Sequence, residues 1–550
     1  MKKIILSATL LTSSFFYAQV RVGIESNNQY YLDDDKIKID EKEAEDRFRS
    51  NTYIKVDYFK NKWEFGTQIE SYYPKAIINY SPDLKDANIG TIYARYNDID
   101  NGINITLGHF YEQFGSGLIL RSWEDRALGI NNALFGVNAK MRLTKNLDLT
   151  ALTGKQRIGM GFDLSESYVM GSNLEFNAAD ALKLENVDIR FGASYVGRLD
   201  EHKETTYAGV NDLISAFSGR FNLGVGGFNF GTEYVHKQKD ILIENGDYVD
   251  GVFKDGNALL VNLGYNKGNF GSSVNLRRME NMSFYSERSF TGNVYNKGVI
   301  NYIPALTKQY DFSLQNIYVY QAQPHLDFFQ AQKAGEIGGQ YDLYYDFAEG
   351  TALGGKYGTH LAVNGSYWAG LKSEYDFTNY TVENEFLKFG KKYYSDIAVE
   401  IRKNWTSNFQ TIAMYMNQYY NAPMLEGKFE DVKTDILSVE GLYNFSETSS
   451  VRLQLQNMWA SADKGDWGAA LLEFVPNTMF SIYVTDMYNY GNTHPESRIH
   501  YYSVGGSFSK GATRIAVNYG RQRGGLMCVG GVCRYVPESN GFTLNLTTNF

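Results

Sequence analysis

GFTLNLTTNF, the stretch from Gly541 to Phe550, is the most informative part of this chain of 550 residues. Apolar and polar residues alternate along it, and one face carries Phe542, Leu544, Leu546, Thr548 and Phe550. The other face carries Thr543, Asn545, Thr547 and Asn549. Because successive side chains of a strand point to opposite faces, this period of two predicts a β-strand with one apolar face. We therefore expect the chain to end on a strand that separates an apolar environment from water.

The last residue carries information about location. A terminal amphipathic strand that ends on Phe resembles the C-terminal signature of bacterial outer-membrane β-barrels, which the assembly machinery of that membrane reads. The resemblance implies that Phe550 is the C-terminal assembly signal and that this machinery is a partner. It also implies that outer-membrane lipid surrounds the protein.

The opposite end of the chain agrees with export. Lys2 and Lys3 precede an apolar run from Ile4 to Tyr17, which is too short to span a bilayer. We therefore predict a signal peptide over residues 1–18. Beyond it, no stretch approaches the roughly 20 apolar residues of a transmembrane helix. The remaining chain, residues 19–550, can then enter a membrane only as one closed barrel, because backbone groups in lipid need internal partners.

The composition is compatible with such a barrel. Hydrophobic residues make up 43% of the chain, with 43 Tyr, 34 Phe and 53 Gly, yet the mean hydropathy is only -0.37. Strands that alternate lipid-facing and lumen-facing residues average to near neutrality in this way. A large secreted soluble β-protein has similar averages and stays an alternative. The net charge of -9 lacks the basic excess that nucleic acid requires, so no nucleic-acid partner is expected.

Amphipathic strand-like segments alternate along the chain with connections that are short and long in turn. This pattern predicts an all-β fold: a single transmembrane antiparallel β-barrel of about 24 strands, within a range of about 20 to 26. Short turns are expected at the periplasmic end and long loops outside the cell. The predicted long loops include residues 114–133, 237–256 and 279–335.

The lumen of this barrel is predicted to be polar and wide. Glu64, Gln68 and Glu70 alternate with apolar residues, and carboxylates facing lipid are costly, so they are expected inside. Arginines at equivalent positions, such as Arg452, bring positive charge to the same face. A barrel of roughly 20 or more strands is too wide for its own side chains to fill. It must hold water, an inserted loop, a plug or a partner.

Two segments break the alternation and are candidates to fill the lumen. The first, Gly115 to Gly129, carries Arg121, Glu124, Asp125 and Arg126 beside several glycines. Folded inward, these four side chains would form a charged constriction. In the alternative interpretation, the loop is self-paired and its charges neutralise one another, and the sequence leaves both open.

The second segment, Asn301 to Pro324, is partly apolar and lies inside the longest interruption. It is interpreted as a plug-like insertion, an outer cap or one extra hairpin. The last of these would raise the strand count by two.

The two cysteines lie in the stretch Cys528-Val-Gly-Gly-Val-Cys533. If Gly530 and Gly531 form a two-residue primed turn, the cysteines fall opposite each other at a non-hydrogen-bonded pair, where Cα atoms are about 4.5 Å apart. This spacing suits a disulfide, and the periplasm is oxidising. A zinc site is the competing interpretation, but two thiols without a nearby His make a poor one. We therefore predict a structural disulfide between Cys528 and Cys533.

Three longer motifs resemble those of a known family. They are GSGLILRSWEDRALGINNALFG (Gly115 to Gly136), NYIPALTKQYDFSL (Asn301 to Leu314) and RGGLMCVGGVCRYVPE (Arg523 to Glu538). These motifs resemble recurring stretches of an uncharacterised family of outer-membrane β-barrel proteins of Bacteroidota, which carries a domain-of-unknown-function label. The resemblance spans most of the chain and implies the fold and the outer-membrane location. It implies no catalytic residue, ligand or substrate.

Motifs of catalysis and metal binding are missing from the sequence. It contains no HExxH pair, Walker glycine-lysine loop, GxSxG elbow or CxxC pair, and its seven histidines are scattered. We therefore expect no enzymatic activity, cofactor or metal site. The acidic run within residues 33–46 lacks EF-hand spacing, so a solvated loop is expected there in preference to a calcium site.

Two function classes remain. In the first, the protein is porin-like and passes small hydrophilic solutes through its polar lumen, with Arg121, Glu124, Asp125 and Arg126 setting selectivity. In the second, it is a non-conducting structural or accessory barrel that is occupied by its own loops. Such a barrel would dock to other envelope proteins of an outer-membrane assembly or secretion complex.

Overall fold

A computed structural model describes residues 19–39, 47–79, 81–200, 209–244, 247–293 and 295–550. The predicted signal peptide, residues 1–18, lies outside the described residues, as does most of the acidic run between residues 33 and 46. Within the described residues, no helix has the length and the apolar composition needed to cross a membrane.

The described chain is built almost entirely of strands that follow one another as antiparallel neighbours. In chain order they are β1 (Gln19–Tyr31), β2 (Phe48–Lys60), β3 (Trp63–Tyr73), β4 (Asp86–Asp98), β5 (Ile103–Phe110), β6 (Glu124–Asp125), β7 (Ile130–Asn131), β8 (Leu134–Thr144), β9 (Leu147–Arg157), β10 (Leu164–Asn177), β11 (Val187–Leu199), β12 (Leu213–Val225), β13 (Phe228–Glu244), β14 (Asp247–Lys267), β15 (Phe270–Glu280), β16 (Gly335–Phe347), β17 (Thr359–Asp376), β18 (Thr381–Asn404), β19 (Phe409–Tyr420), β20 (Val432–Ser446), β21 (Ser449–Ala460), β22 (Trp467–Asn477), β23 (Phe480–Tyr488), β24 (His500–Lys510), β25 (Thr513–Gln522), β26 (Gly525–Val529), β27 (Val532–Val536) and β28 (Ser539–Asn549). Two short helices, α1 (Ala178–Leu182) and α2 (Ala422–Glu426), lie in connections.

The sheet closes on itself. Twenty-four of the described strands form one sheet, and the pairs β6–β7 and β26–β27 form two small separate sheets. Closure comes from β1 and β28, which pair from Gly23 opposite Asn549 to Tyr31 opposite Gly541. Phe550 extends this pairing through two backbone hydrogen bonds with Val22. The predicted all-β antiparallel barrel of about 24 strands is therefore confirmed, and its closed sheet leaves no free edge in lipid.

The two faces of the barrel differ as the alternation predicts. Along β3, Trp63, Phe65 and Ile69 are exposed on the outer face, whereas Gln68 and Glu70 are buried inside. Other strands repeat this arrangement, so apolar side chains cover the outside, and polar side chains line the inside except where inward apolar residues pack against inserted loops. A closed barrel with this surface belongs in lipid, and the protein is an outer-membrane barrel of a bacterium.

One predicted long loop is wrong. Residues 237–256 were expected to be a loop, but β13 continues to Glu244 and β14 begins at Asp247. The reason is tertiary packing, because Leu242 and Val252 on this extended hairpin are buried against Phe328 from a neighbouring loop. Two periplasmic connections are also longer than expected. In residues 178–186, α1 follows β10 directly and is capped by Asn177. Residues 348–358 connect β16 to β17 at the same end.

Candidate functional site: the lumen and its inserted loops

External connections of the barrel fold into the lumen. We call residues 111–133 the first inserted loop, residues 281–334 the second inserted loop and residues 523–538 the terminal hairpin. Together these three segments form the loop layer. Of the three interpretations of Asn301 to Pro324, the plug-like insertion agrees with the structure, because this segment lies inside the lumen and adds no strand to the barrel.

The first apolar cluster attaches the loop layer to the inner wall formed by β5 and β8 to β15. Its fully buried side chains come from both inserted loops and from inward-facing wall positions. The loop members are Phe114, Leu118, Ile119, Leu120, Met282, Phe284 and Ile300, and the wall members include Val169, Val196, Ile214, Val235, Ala258 and Met279. Burial of each large apolar side chain stabilises the arrangement by about 1.5 to 3 kcal/mol.

A second apolar cluster attaches the second inserted loop to the wall formed by β17 to β22. The loop members are Ala305, Phe312, Leu314, Ile317, Tyr318 and Tyr320, and the wall members include Trp368, Met414, Met416, Ile436, Met458 and Trp467. The indole Nε1 of Trp368 also donates to Leu306 O at 3.1 Å. The second inserted loop therefore crosses the lumen from one cluster to the other.

Hydrogen bonds join the three segments to one another. The pairs are Arg121 N to Ile300 O (2.8 Å), Tyr302 N to Gly117 O (2.9 Å), Ala305 N to Gly531 O (2.9 Å) and Tyr302 Oη to Gly530 O (2.6 Å). Because backbone groups inside the lumen need partners, these bonds fix the relative position of the loops.

The terminal hairpin carries the disulfide. Cys528 and Cys533 are bonded and lie opposite each other in the β26–β27 pair, with their Cα atoms 4.0 Å apart. Gly530 and Gly531 form the turn with φ angles of +56° and +80°, which suit a primed turn. The predicted hairpin geometry is confirmed, and its tip contacts the second inserted loop at Ala305.

The four side chains of the predicted constriction all lie in the first inserted loop, but they have different partners. Arg126 binds Glu25 of β1 at 2.6 Å and Glu124 at 3.2 Å. Burial opposes the charge of Arg126, but Glu124 and Glu25 outweigh this effect, so the pKa of Arg126 is raised. Asp125 accepts from the backbone N–H of Leu128 at 2.9 Å.

Arg121 differs from the other three. Its guanidinium lies 3.8 Å from the ring centroid of Tyr302 and 5.4 Å from that of Trp123. Within the described residues, Arg121 has no carboxylate partner. The structure thus brings Glu124 and Arg126 together and leaves Arg121 apart, and the role of the four residues in selectivity stays a prediction.

Sequence reasoning missed several buried ion pairs, both within the wall and between the wall and the inserted loops. Arg277 binds Glu336 at 2.6 Å on neighbouring strands, and Arg277 also donates to Pro304 O of the second inserted loop at 2.7 Å. Arg288 of the same loop binds Asp240 of β13 at 2.8 Å. The partners are far apart in sequence, so spacing gives no sign of them. In the sequence, only the inward position of Arg277, Glu336 and Asp240 on their strands marks them as candidates for buried ion pairs.

Toward the periplasmic end, the lumen stays open to water. Lys55, Lys140, Arg190 and Arg402 all point inward in the periplasmic halves of their strands, and their side chains are 48 to 59% exposed. We call this region, lined by these four residues, the inner basin. Each of the four binds a carboxylate, and the partner of Lys140 is Glu112 of the first inserted loop, at 2.7 Å. Because all four side chains nevertheless stay about half exposed, the loops do not fill the lumen completely at this level.

The loop layer contains cavities that are partly open to solvent. An outer cavity of about 570 Å³ is lined by charged residues that include Arg198 and Asp240. A central cavity of about 300 Å³ lies between the inserted loops and the terminal hairpin. Ser283, Tyr285 and His325 line both cavities and separate them. Among the described residues, no group of three or more His, Cys, Asp or Glu side chains could hold a metal ion.

Comparison with known proteins finds one matching family model and several solved structures of low similarity. The model of a family described as "Family of unknown function (DUF6029)" matches residues 1–550. No curated protein sequence matches the chain. Among solved structures, the P pilus usher (PapC) translocation pore is 8% identical with a TM-score of 0.43, covering 96% of this chain and 99% of its own.

Two further solved structures are similarly remote in sequence and fold. The siderophore receptor PirA from Pseudomonas aeruginosa is 10% identical with a TM-score of 0.42, covering 97% of this chain and 80% of its own. A BenF-like porin from Pseudomonas fluorescens Pf-5 is 9% identical with a TM-score of 0.32, covering 84% of this chain and 97% of its own. These likenesses carry no argument about function, which must come from the residues of this chain.

Proposed function

We propose that this chain, which belongs to the family of unknown function DUF6029, acts as a porin-like barrel for the passive passage of small hydrophilic solutes. Its own loop layer narrows the bore. The observation that carries this proposal is the inner basin, in which Lys55, Lys140, Arg190 and Arg402 are exposed inside the barrel. A wide, wetted and charged lumen beneath a layer with cavities favours solute passage.

A second candidate function is a non-conducting accessory barrel that docks to other envelope proteins. A specific observation favours it: both inserted loops are attached to the wall by apolar clusters whose members, such as Phe114 and Leu314, are completely buried. Loops held in this way do not leave the lumen easily. In this case the loop layer is a permanent filling, and the external surface of the loops is the functional part.

Conductance of the purified protein in planar bilayers tests the proposal. We expect small steps for the unmodified protein and steps several times larger after deletion of Gly115–Gly129, because this deletion removes the centre of the first inserted loop. The matched control is deletion of residues 493–497, an exposed part of an external loop outside the loop layer, which should leave the steps unchanged. Heat-dependent migration in gels verifies that each barrel is folded.

The outcomes separate the two candidates. Silent bilayers for both the unmodified protein and the Gly115–Gly129 deletion would overturn the porin-like proposal and favour the accessory barrel. If the unmodified protein conducts and the deletion leaves its steps unchanged, the first inserted loop lies outside the conducting path.

A further inference from the structure

We infer that the outer cavity of the loop layer binds a short zwitterionic peptide of two or three residues. Its terminal carboxylate lies at Lys237, and its terminal ammonium lies at Glu244 and Asp327. This inference goes beyond the proposed function, because a ligand of the loop layer need not cross the barrel. It is tested by binding alone, without conductance.

The outer cavity lies between the barrel wall and the second inserted loop. β13 contributes residues 237 and 240–244, β11 contributes Arg198, and the loop contributes parts of residues 281–293 and 325–330. The volume of about 570 Å³ lies within the range of small-molecule sites. Because the cavity is partly open to solvent, a ligand of this size can enter it.

Four charged side chains at the cavity neutralise one another. Arg198 binds Asp240 at 2.6 Å and Asp200 at 3.4 Å. Arg288 binds the same two carboxylates at 2.8 Å and 2.5 Å. Two positive and two negative charges therefore form a balanced network, which leaves no net charge for a ligand.

Lys237 forms the positive pole of the cavity. Its side chain lines the cavity, and the residue is only 4% exposed. The ammonium donates to Ser283 O at 2.7 Å and, within the described residues, has no ion-pair partner, since Asp240 of the same strand is bound by two arginines. A buried charge without a counter-charge is costly, so this end of the cavity favours an anionic group such as a carboxylate.

Glu244 and Asp327 form the negative pole. Oε1 of Glu244 accepts from the backbone N–H of Phe328. Oδ1 of Asp327 accepts from the backbone N–H of Gln330 at 2.9 Å. The second oxygen of each carboxylate has no hydrogen-bond partner among the described residues. Lys333 of the same loop donates to two neutral oxygens, at 3.1 Å and 3.2 Å, and forms no ion pair with either carboxylate. This end therefore favours an ammonium group.

The separation of the two poles sets the length of the ligand. Beside Lys237, Ser283 Oγ lies 2.6 Å from His325 Nδ1, and Phe328 N donates to Glu244. His325 and Phe328 are three residues apart, so their Cα atoms lie within about 11 Å. An extended peptide of two or three residues covers roughly 7 to 11 Å. The two charges of a single amino acid are joined through one carbon and cannot reach both poles.

Apolar side chains line the cavity between the poles. Ile241, Leu242 and Ile243 lie on β13, and Leu326 lies on the second inserted loop. All four are buried. They offer contact surface to an apolar side chain of the peptide, whose burial stabilises the complex.

Calorimetric titration of the full barrel in detergent tests the inference. The probes are leucyl-leucine and trileucine, whose termini are both charged at neutral pH. Their counterparts are the N-acetylated peptides, which lack the ammonium, and the C-terminal amides, which lack the carboxylate. We expect saturable binding of at least one free peptide and binding about tenfold weaker for each of its blocked forms, because each form loses hydrogen bonds to a charged group. Free leucine should also bind about tenfold weaker.

Variants connect the binding to the cavity. Lys237→Met removes the ammonium and retains an unbranched side chain, so it should weaken the free peptide by about tenfold and remove its advantage over the amide. Glu244→Gln combined with Asp327→Asn should remove the advantage of the free peptide over the acetylated form. The matched control, Lys239→Met, changes an exposed residue of β13 outside the cavity lining and should leave binding unchanged. Heat-dependent migration in gels verifies that each variant is folded.

Three results would overturn the inference: no saturable binding of either free peptide, equal binding of the blocked peptides or of free leucine, or a retained preference for the free carboxylate in Lys237→Met. Its failure is distinguishable from that of the proposed function. Peptide binding with silent bilayers refutes passage alone, and conductance without peptide binding refutes the peptide site alone.

Discussion

Replacement of Phe114 by Ala is expected to release the first inserted loop and leave the barrel intact. The ring of Phe114 is completely buried among Val169, Val196 and the other members of the first cluster. Gly171 provides the space for this ring, because a Cβ at that position would lie 2.8 Å from an edge carbon of Phe114. The ring therefore occupies a site on the wall that fits it closely.

The free-energy cost of Phe114→Ala can be estimated from the complete burial of the ring. A completely buried Phe replaced by Ala costs about 3 to 5 kcal/mol. Because every 1.4 kcal/mol or so is a factor of ten, a cost of about 4 kcal/mol increases the open fraction of the loop by roughly 1000-fold. The closed barrel should not change, since its strands are held by their own ladders.

Hydrogen exchange of the protein in detergent measures this change. Amides with partners inside the loop layer, such as Arg121 N to Ile300 O, should exchange much faster in Phe114→Ala. Amides of β24 and β25 should exchange as before. The matched control is Phe445→Ala, which removes a ring that is 58% exposed on the outer face. Exchange of residues 111–133 at the unmodified rate in Phe114→Ala would refute the conclusion that apolar packing holds the loop.

Three further predictions concern other parts of the molecule. Glu336→Gln leaves Arg277 buried without its counter-charge, so the barrel should lose about 3 to 5 kcal/mol of stability in a urea titration that follows heat-dependent migration. Replacement of Cys528 and its partner Cys533 by Ser removes a short covalent loop worth about 2 kcal/mol, so proteolysis should increase within the terminal hairpin and not in the barrel. Deletion of Phe550 removes two backbone hydrogen bonds and the predicted assembly signal, so the assembled fraction in outer-membrane preparations should fall, whereas Phe550→Tyr should assemble normally.

The barrel was predictable because alternation is a local property. In β3 and β28, the face of each side chain follows from its neighbours in sequence, and the closing pair of β1 and β28 follows from an even number of strands. The disulfide was predictable for the same reason, since Cys528 and Cys533 are joined by one turn.

The loop layer was only partly predictable, because its contacts join residues that are distant in sequence. A sign of it was nevertheless present on the wall. Val169, Val196 and Val235 occupy inward positions where alternation predicts polar residues, and each of them supports the inserted loops. Apolar residues at inward positions of a wide barrel therefore indicate an internal plug. This pattern can be recognised from the amino-acid sequence alone.

Under the porin-like proposal, the positions of these anchors also indicate where the conducting path would lie. The two clusters take their buried wall members from β5 to β22, and among the described residues neither cluster has a fully buried member on β23, β24, β25, β28 or β1. On this arc the inward side chains are mostly small and polar, and they bond to one another, as Ser481 does to Ser507 at 2.8 Å and Ser503 to Asn518 at 3.0 Å. The loop layer meets this arc through a polar contact, in which Arg126 binds Glu25 of β1 at 2.6 Å, and through the partly buried Met487 and Tyr501 beside the second cluster. The small polar side chains between these contacts leave the wall wetted. A fixed filling and an open path are therefore compatible in the same lumen, and the path is expected along this polar arc.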